Sequence, residues 1–356
     1  MPTALAAFLA LSVSVCAAPL LAAEPPADQV GAFRAECAAK QKAADAAGSM
    51  TVLGKDGWMF FGRELRHVSV GAFWGDLAAT ASSQTKYQDP LPAILDYHAS
   101  CRKLGIELIV LPIPPKAIVY ADKLSAGVPV EDKGVPPRMD TAHQAFYKLL
   151  REKGVTVLDL TGDFLAARAE AGTPPVYCKQ DTHWSGRACE IAARKIAEHV
   201  RDRPWAKALA RNAYETRTMA VEIRGDLWRD VHDAKPPAEK VPLRFVGTKS
   251  AGMPAPLAPD PNSPVILLGD SHGLVFHEGG EMHAKGAGLV DQLAFELGWR
   301  VERLARKGSG ATPARIDLYR KQKRLPGYLR TKKLIVWCFS AREFTEAGWR
   351  NVPVTR

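Results

Sequence analysis

Cysteine is scarce in this chain of 356 residues, and no two of its six cysteines have the close spacing of a metal-binding knuckle. Five lie beyond residue 23, at Cys37, Cys101, Cys178, Cys189 and Cys338. That odd number leaves at least one thiol without a partner inside the chain, whatever the redox compartment. Cys101, Cys189 and Cys338 fall on apolar positions of predicted helices or a strand, where a small buried thiol is the default. A disulfide through Cys37 is compatible with the pattern but has no assignable partner. Also missing are a second apolar run long enough to span a bilayer and any basic-aromatic motif of nucleic-acid binding. The net charge of +10 is spread along the chain rather than clustered, so it reads as a basic solvated surface, with an anionic polysaccharide or membrane as the alternative partner and no nucleic acid.

The single apolar run, residues 4–23, carries no charge and is followed at once by Glu24-Pro25-Pro26. It reads as an export signal with Leu21-Ala22-Ala23 as the cleavage site, or as an uncleaved anchor in the inner membrane. Cys16 is a poor lipidation site because Val15 stands where a small residue should precede it. Residues 24–50 form an N-terminal segment, and 51–356 are long enough for one large domain of ordinary globular composition.

From Asp89 onward, short apolar runs alternate with amphipathic stretches, which predicts an α/β fold around a mostly parallel sheet. A helix over 92–104 stops at Gly105 and leads into a strand at 106–111. A second helix carries Met139, Ala142, Phe146, Leu149 and Leu150, ends at Gly154, and precedes a strand at 155–160. Further strands are expected at 265–268, 300–304 and 334–339. Two segments depart from this rhythm. Gly54-Lys55-Asp56-Gly57 before Trp58-Met59-Phe60-Phe61 predicts a hairpin, and 204–264, rich in Pro and Gly with a strand at 242–246, predicts an insertion.

In a parallel sheet the chemistry gathers beyond the carboxyl ends of the strands. There the sequence places Gly269-Asp270-Ser271-His272-Gly273, a strand end, a tight turn and an expected helix start. A serine so placed is open to the cleft, its own N–H can hold an oxyanion, and a following helix N-terminus would favour developing negative charge. The bland reading is a strand-ending turn with Asp270 or Ser271 as a cap. A base is offered by Gln180-Asp181-Thr182-His183-Trp184-Ser185, ahead of a helix with Ser185 as N-cap. In an extended segment Asp181 and His183 project from one face, so the carboxylate can orient the imidazole. Trp184 is expected to staple onto Cys189. Taken alone, Asp181 and His183 would more simply be a structural turn and a satisfied loop histidine.

With these motifs in that order, the chain resembles the AlgX/AlgJ group of alginate O-acetyltransferases. The resemblance also rests on Gly54-Lys55-Asp56-Gly57-Trp58-Met59-Phe60, Leu111-Pro112-Ile113-Pro114-Pro115-Lys116, and Ile335-Val336-Trp337 with Arg342. It implies an SGNH-hydrolase-like, three-layer α/β/α domain and a periplasmic enzyme. Ser271 would take an acetyl group, His183 would act as base and then acid, and Asp181 would orient it. It implies no cofactor and no metal, a polysaccharide acceptor, and a membrane-bound O-acyltransferase that supplies acetyl groups. Gly308 and Ser309, in the Gly308-Ser309-Gly310 loop, are candidates for a second oxyanion donor. Arg342 and Lys116 are candidates for holding a carboxylate or hydroxyl of the glycan, with structural ion pairs as the alternative. Cys338 stands where the resemblance leads one to expect an acidic residue, and the end of the chain suggests the single-domain AlgJ type.

Three other readings compete. A metallophosphoesterase would use Asp181, His183 and Asp270 as ligands, but Gly273 replaces the required Asp or Asn and no Gly-Asn-His follows. A carbohydrate acetylesterase would share the acyl-enzyme and differ only in the second nucleophile. A polysaccharide-binding component of an export machinery would use the same cleft without turnover.

Overall fold

A computed structural model describes residues 25–130, 134–231 and 235–355. The expected signal or anchor, with Cys16, lies outside the described residues. Ten strands are present among them: β1 (Thr51–Leu53), β2 (Met59–Phe61), β3 (Glu107–Ile113), β4 (Thr156–Val157), β5 (Glu215–Ile223), β6 (Glu239–Thr248), β7 (Ala255–Pro256), β8 (Val265–Gly269), β9 (Glu302–Ala305) and β10 (Leu334–Ser340).

The central sheet has the order β4-β3-β10-β8-β9, and every neighbouring pair is parallel. Its inner strands β3, β10 and β8 are almost wholly apolar because helices cover both faces, whereas the edge strand β9 carries Glu302 and Arg303. Alternation along each strand divides the side chains. Leu334, Val336 and Cys338 of β10, with Val265 and Leu267 of β8, enter a core shared with the helices Gly186–Val200 and Leu289–Leu297. Ile335, Trp337 and Phe339, with Ile266 and Leu268, face the helices Pro90–Lys103, Thr141–Glu152 and Thr312–Arg324. The result is the three-layer α/β/α arrangement that the alternating pattern predicts.

The strand after Gly154 is shorter than expected, two residues at the sheet edge, since Asp159 turns away to cap Thr161 and bind Arg138. The predicted hairpin is β1-β2, antiparallel, with Thr51 opposite Phe61. The 204–264 region contains a separate antiparallel sheet, β5-β6-β7, in which β6 extends well beyond the predicted 242–246. The N-terminal segment forms the helix Ala27–Ala46, whose Val30, Phe33, Cys37 and Ala44 join the first core. All five described cysteines are buried free thiols, so Cys37 forms no disulfide among the described residues.

Candidate active site

β8 is an inner strand, between β10 and the edge strand β9, and its carboxyl end leads into the candidate site. Beyond Gly269, Asp270 is fully buried and binds its surroundings with both oxygens. Oδ1 accepts from the His272 N–H (2.9 Å) and lies 3.0 Å from its Nδ1, while Oδ2 accepts from the Ser340 N–H of β10 at 2.7 Å. Burial alone would raise its pKa, but His272, Arg342 and the Ser340 bond outweigh that and hold it at about 2. The turn carrying Ser271 is therefore clamped to the neighbouring strand. Only a single 3-10 turn, Ser271–Gly273, follows it, and Phe276 then takes a positive φ of 60°. The expected α-helix is absent, and with it the helix-dipole contribution. What remains is the Ser271 N–H, which no acceptor among the described residues takes.

Ser271 Oγ lies 2.8 Å from His183 Nε2, and His183 Nδ1 lies 2.6 Å from Asp181 Oδ1. The network assigns the proton on Nδ1 to the carboxylate and leaves Nε2 to accept the serine hydroxyl. The two motifs, 88 positions apart, thus meet in one relay. The local conformation differs from expectation. Residues 181–183 form a bend rather than an extended segment, and Asp181 Oδ1 also accepts the His183 N–H at 2.9 Å. The bend caps a short hairpin closed by the bridge between Tyr177 and Trp184. Ser185 precedes the helix as expected, yet its hydroxyl donates to the Pro175 carbonyl instead of capping. Trp184 packs edge-on against His272, ring centroids 5.5 Å apart.

This loop is held by residues that no motif announces. Asp181 Oδ2 lies 2.8 Å from His283 Nε2 and accepts the Asp226 N–H at 3.1 Å. Asp226 in turn accepts from the Thr182 N–H (2.8 Å) and hydroxyl (2.6 Å). Glu239 receives the N–H groups of Lys179 and Gln180. A Cβ on Gly225 would lie 2.0 Å from the Gln180 carbonyl oxygen and 2.7 Å from Asp181 Cβ, so only glycine lets this strap press on the bend. In the sequence Gly225, Asp226, Glu239 and His283 offered no signal.

Burial pulls the His183 pKa down, but Asp181, with further help from Asp226 and Asp270, outweighs it and leaves the imidazole above its ordinary value. Burial likewise pushes Asp181 up, and His183 and His283 more than reverse this, holding it well below the carboxylate range.

Lys116 corrects its expected role. It is buried, and its ammonium donates to the Lys179 carbonyl (2.9 Å) and the Asp181 carbonyl (3.0 Å) beneath Trp58 and Phe60. It is not open to a glycan and forms no ion pair among the described residues; it props up the loop that carries His183. Arg342 makes no salt bridge among the described residues, and its guanidinium lies 5.4 Å from the Phe61 ring centre. The Gly308-Ser309-Gly310 loop packs against the strand end that leads into Ser271. A Cβ on Gly310 would sit 2.6 Å from the Asp270 nitrogen. The Ser309 hydroxyl, however, donates to Glu343, whose pKa burial lifts to about 7, so it is not a free oxyanion donor.

Asp181, His183 and Asp226 bring ligand atoms within 4.8 Å of one another, close enough for a metal ion. Their donor atoms are already committed to the relay and to Thr182. Asp270, the further ligand on the metallophosphoesterase reading, commits both oxygens to His272 and Ser340. The arrangement fits an acyl-transfer triad better than a metal centre.

Residues 51–341 match the family model described as SGNH hydrolase-like domain, acetyltransferase AlgX. The probable alginate O-acetylase AlgJ of Pseudomonas aeruginosa is 24% identical over 151 residues, 42% of this chain and 33% of that protein. Its counterpart in Pseudomonas putida is 27% identical over 149 residues, again 42% of this chain and 33% of the relative. The chain thus matches about a third of the length of these relatives. Among solved structures, the O-acetyltransferase domain of Pseudomonas putida AlgJ superposes with a TM-score of 0.59 at 21% identity, covering 83% of this chain and 92% of that one. Pseudomonas aeruginosa AlgX gives 0.55 at 15% identity, covering 83% and 66%. With the family model spanning nearly the whole described domain, the chain belongs to the AlgX family of SGNH hydrolase-like acetyltransferase domains.

Proposed function

We propose that the chain is an exported O-acetyltransferase that decorates an exopolysaccharide through an acetyl-Ser271 intermediate. The observation that carries this reading is the continuous relay from Asp181 through His183 to Ser271 in a chain of an acetyltransferase family. In the first half-reaction Ser271 Oγ attacks the carbonyl carbon of an acetyl donor while its proton passes to His183 Nε2. The oxyanion is met by the Ser271 N–H and by backbone donors of the Gly308-Ser309-Gly310 loop. Collapse expels the donor's leaving group, which takes the proton from His183. In the second half-reaction a sugar hydroxyl gives its proton to His183 and attacks the acetyl carbon, and Ser271 leaves with that proton. Asp181 stabilises the imidazolium in both halves and stays ionised. No cofactor enters.

The names of the relatives favour an alginate-like acceptor, and Arg342, without an ion-pair partner among the described residues, is available to its carboxylate or hydroxyls. Residues 4–23 support export to the periplasm, cleaved or anchored. Acetyl-CoA is a cytoplasmic donor, so a membrane-bound O-acyltransferase is the partner such a chain requires. The test is to incubate the protein with a chromogenic acetyl ester and oligomannuronate and to follow acetylated sugar by mass spectrometry. Acetyl groups on the oligosaccharide, dependent on Ser271, are expected. Release of acetate alone would move the assignment to an acetylesterase.

A further inference from the structure

Tyr87 breaks two conformational habits at once. It is 54% exposed, and its backbone φ is 56°, in the left-handed region that bulky residues avoid. Strain of this kind persists where the surroundings enforce it, and it gathers at binding sites. Here the enforcement comes from the segment that follows β10. The Trp349 N–H donates to the Tyr87 carbonyl at 2.6 Å, the Ser83 N–H to the Thr345 carbonyl at 2.8 Å, and Gln84 to the Glu346 carbonyl at 2.9 Å. That same segment begins with Arg342 and Glu343 beside the nucleophile turn. The helix Pro90–Lys103, which starts just after Tyr87, runs back along β3, so its first turn also lies at the carboxyl end of the sheet.

Around Tyr87 the surface opens into a cleft of about 720 Å³, with Asp76, Gln88, Arg350 and Asn351 among its walls. The side chains of Asp76, Arg350 and Asn351 make no hydrogen bond or salt bridge among the described residues, and the Arg350 guanidinium lies 5.4 Å from the Tyr87 ring centre. An exposed ring among unspent planar donors and acceptors matches the chemistry of a sugar. The C–H face of a pyranose packs on an aromatic ring while its hydroxyls take and give hydrogen bonds at the rim.

We infer that this cleft is a glycan subsite, taking a pyranose unit of the acceptor chain on Tyr87 at some distance from Ser271. The inference rests on the proposed function for its choice of polymer and goes beyond it in naming where a remote part of that polymer is held. Arg350 suits the carboxylate of a uronic acid, and Asp76 and Asn351 suit hydroxyls.

The test is direct binding of hexameric mannuronate and of cellohexaose to the full chain by calorimetry, comparing wild type, Tyr87→Gly, Tyr87→Phe and Arg350→Ala. Tyr87→Gly is expected to weaken binding about tenfold. It should not lower the melting temperature, because glycine accepts a positive φ without strain. Tyr87→Phe should bind within about threefold of wild type, since the ring is kept. If Arg350→Ala weakens only the mannuronate, the subsite reads uronic acids; if it weakens both alike, it reads the pyranose ring. Failure of wild type to bind either oligosaccharide, or equal binding by wild type and Tyr87→Gly, would overturn the inference. Binding is read without turnover, so a chain that binds through Tyr87 yet never carries acetyl on Ser271 would sink the proposed function and leave the subsite standing.

Discussion

The two halves of the relay are positioned by different means. Ser271 stands at the end of a central strand, and its turn is fixed by sheet register and by one buried carboxylate that reaches the next strand. His183 stands on a loop outside the sheet. Its place depends on Lys116, the adjacent pair Gly225 and Asp226, Glu239 and His283, which come from four other parts of the chain. Ser271 thus has a local support that is hard to separate from the fold, whereas His183 has a distributed support that can be loosened while the sheet survives.

The largest effect is expected where the relay itself is cut. On the proposed mechanism His183→Ala lowers kcat/KM for a chromogenic acetyl ester by about 10⁴-fold, with the melting curve little changed. On the nucleophile side, Asp270→Ala should cost stability as well as rate. It leaves the Ser340 N–H and His272 without their partner, a loss of roughly 1–3 kcal/mol readable by urea denaturation. If Asp270→Ala proved neutral in stability, the contrast between the two halves would fail.

Next comes Gly225→Ala. The added methyl must displace Gln180 and Asp181, and a shift of about 1 Å at a catalytic group costs about 100-fold in rate. The clash is with backbone, so stability should fall too, by about 1–3 kcal/mol in urea denaturation, while the sheet keeps its cooperative unfolding. Lys116→Met keeps the bulk but removes the donor to two carbonyls of the base loop. Its kcat should fall roughly tenfold with cooperative unfolding retained, in keeping with a misplaced base rather than a lost one.

How much of this was legible follows the same division. Val265 to Leu268 followed by Gly-Asp-Ser announced the strand, the turn and the serine that meets His183, because an apolar run with a polar tight turn has few other solutions. Asp181 and His183 were legible as a pair because their contact is local, two residues apart. Gly225, Asp226 and His283 were not, since hydrogen bonds across 45 and 102 positions leave no periodicity or spacing to read. Lys116 was noticed for its charge and misjudged in role, because burial, not charge, decided what it binds. The helix expected after Ser271 failed for a local reason: Asp270 closes a 3-10 turn, and Phe276 leaves the helical region before a second turn can form.

The smallest expected effect is a displacement in pH. His183 must be neutral to accept the serine proton, and its folded pKa is raised by Asp181. Activity is therefore lost as pH falls through that raised value, so the acidic limb of kcat/KM should lie above the ordinary histidine value of about 6.5. A limb well below it would mean that the Asp181 charge does not reach the imidazole as the geometry requires.

The central claim is that Ser271 carries the acetyl group. Intact mass spectrometry of the purified protein after brief exposure to a chromogenic acetyl ester, wild type beside Ser271→Ala, tests it most directly. The account predicts one acetyl adduct on wild type, mapped to Ser271, that an oligosaccharide acceptor discharges, and none on Ser271→Ala. An adduct that forms equally on both proteins, or no adduct and no ester turnover in wild type, would contradict it.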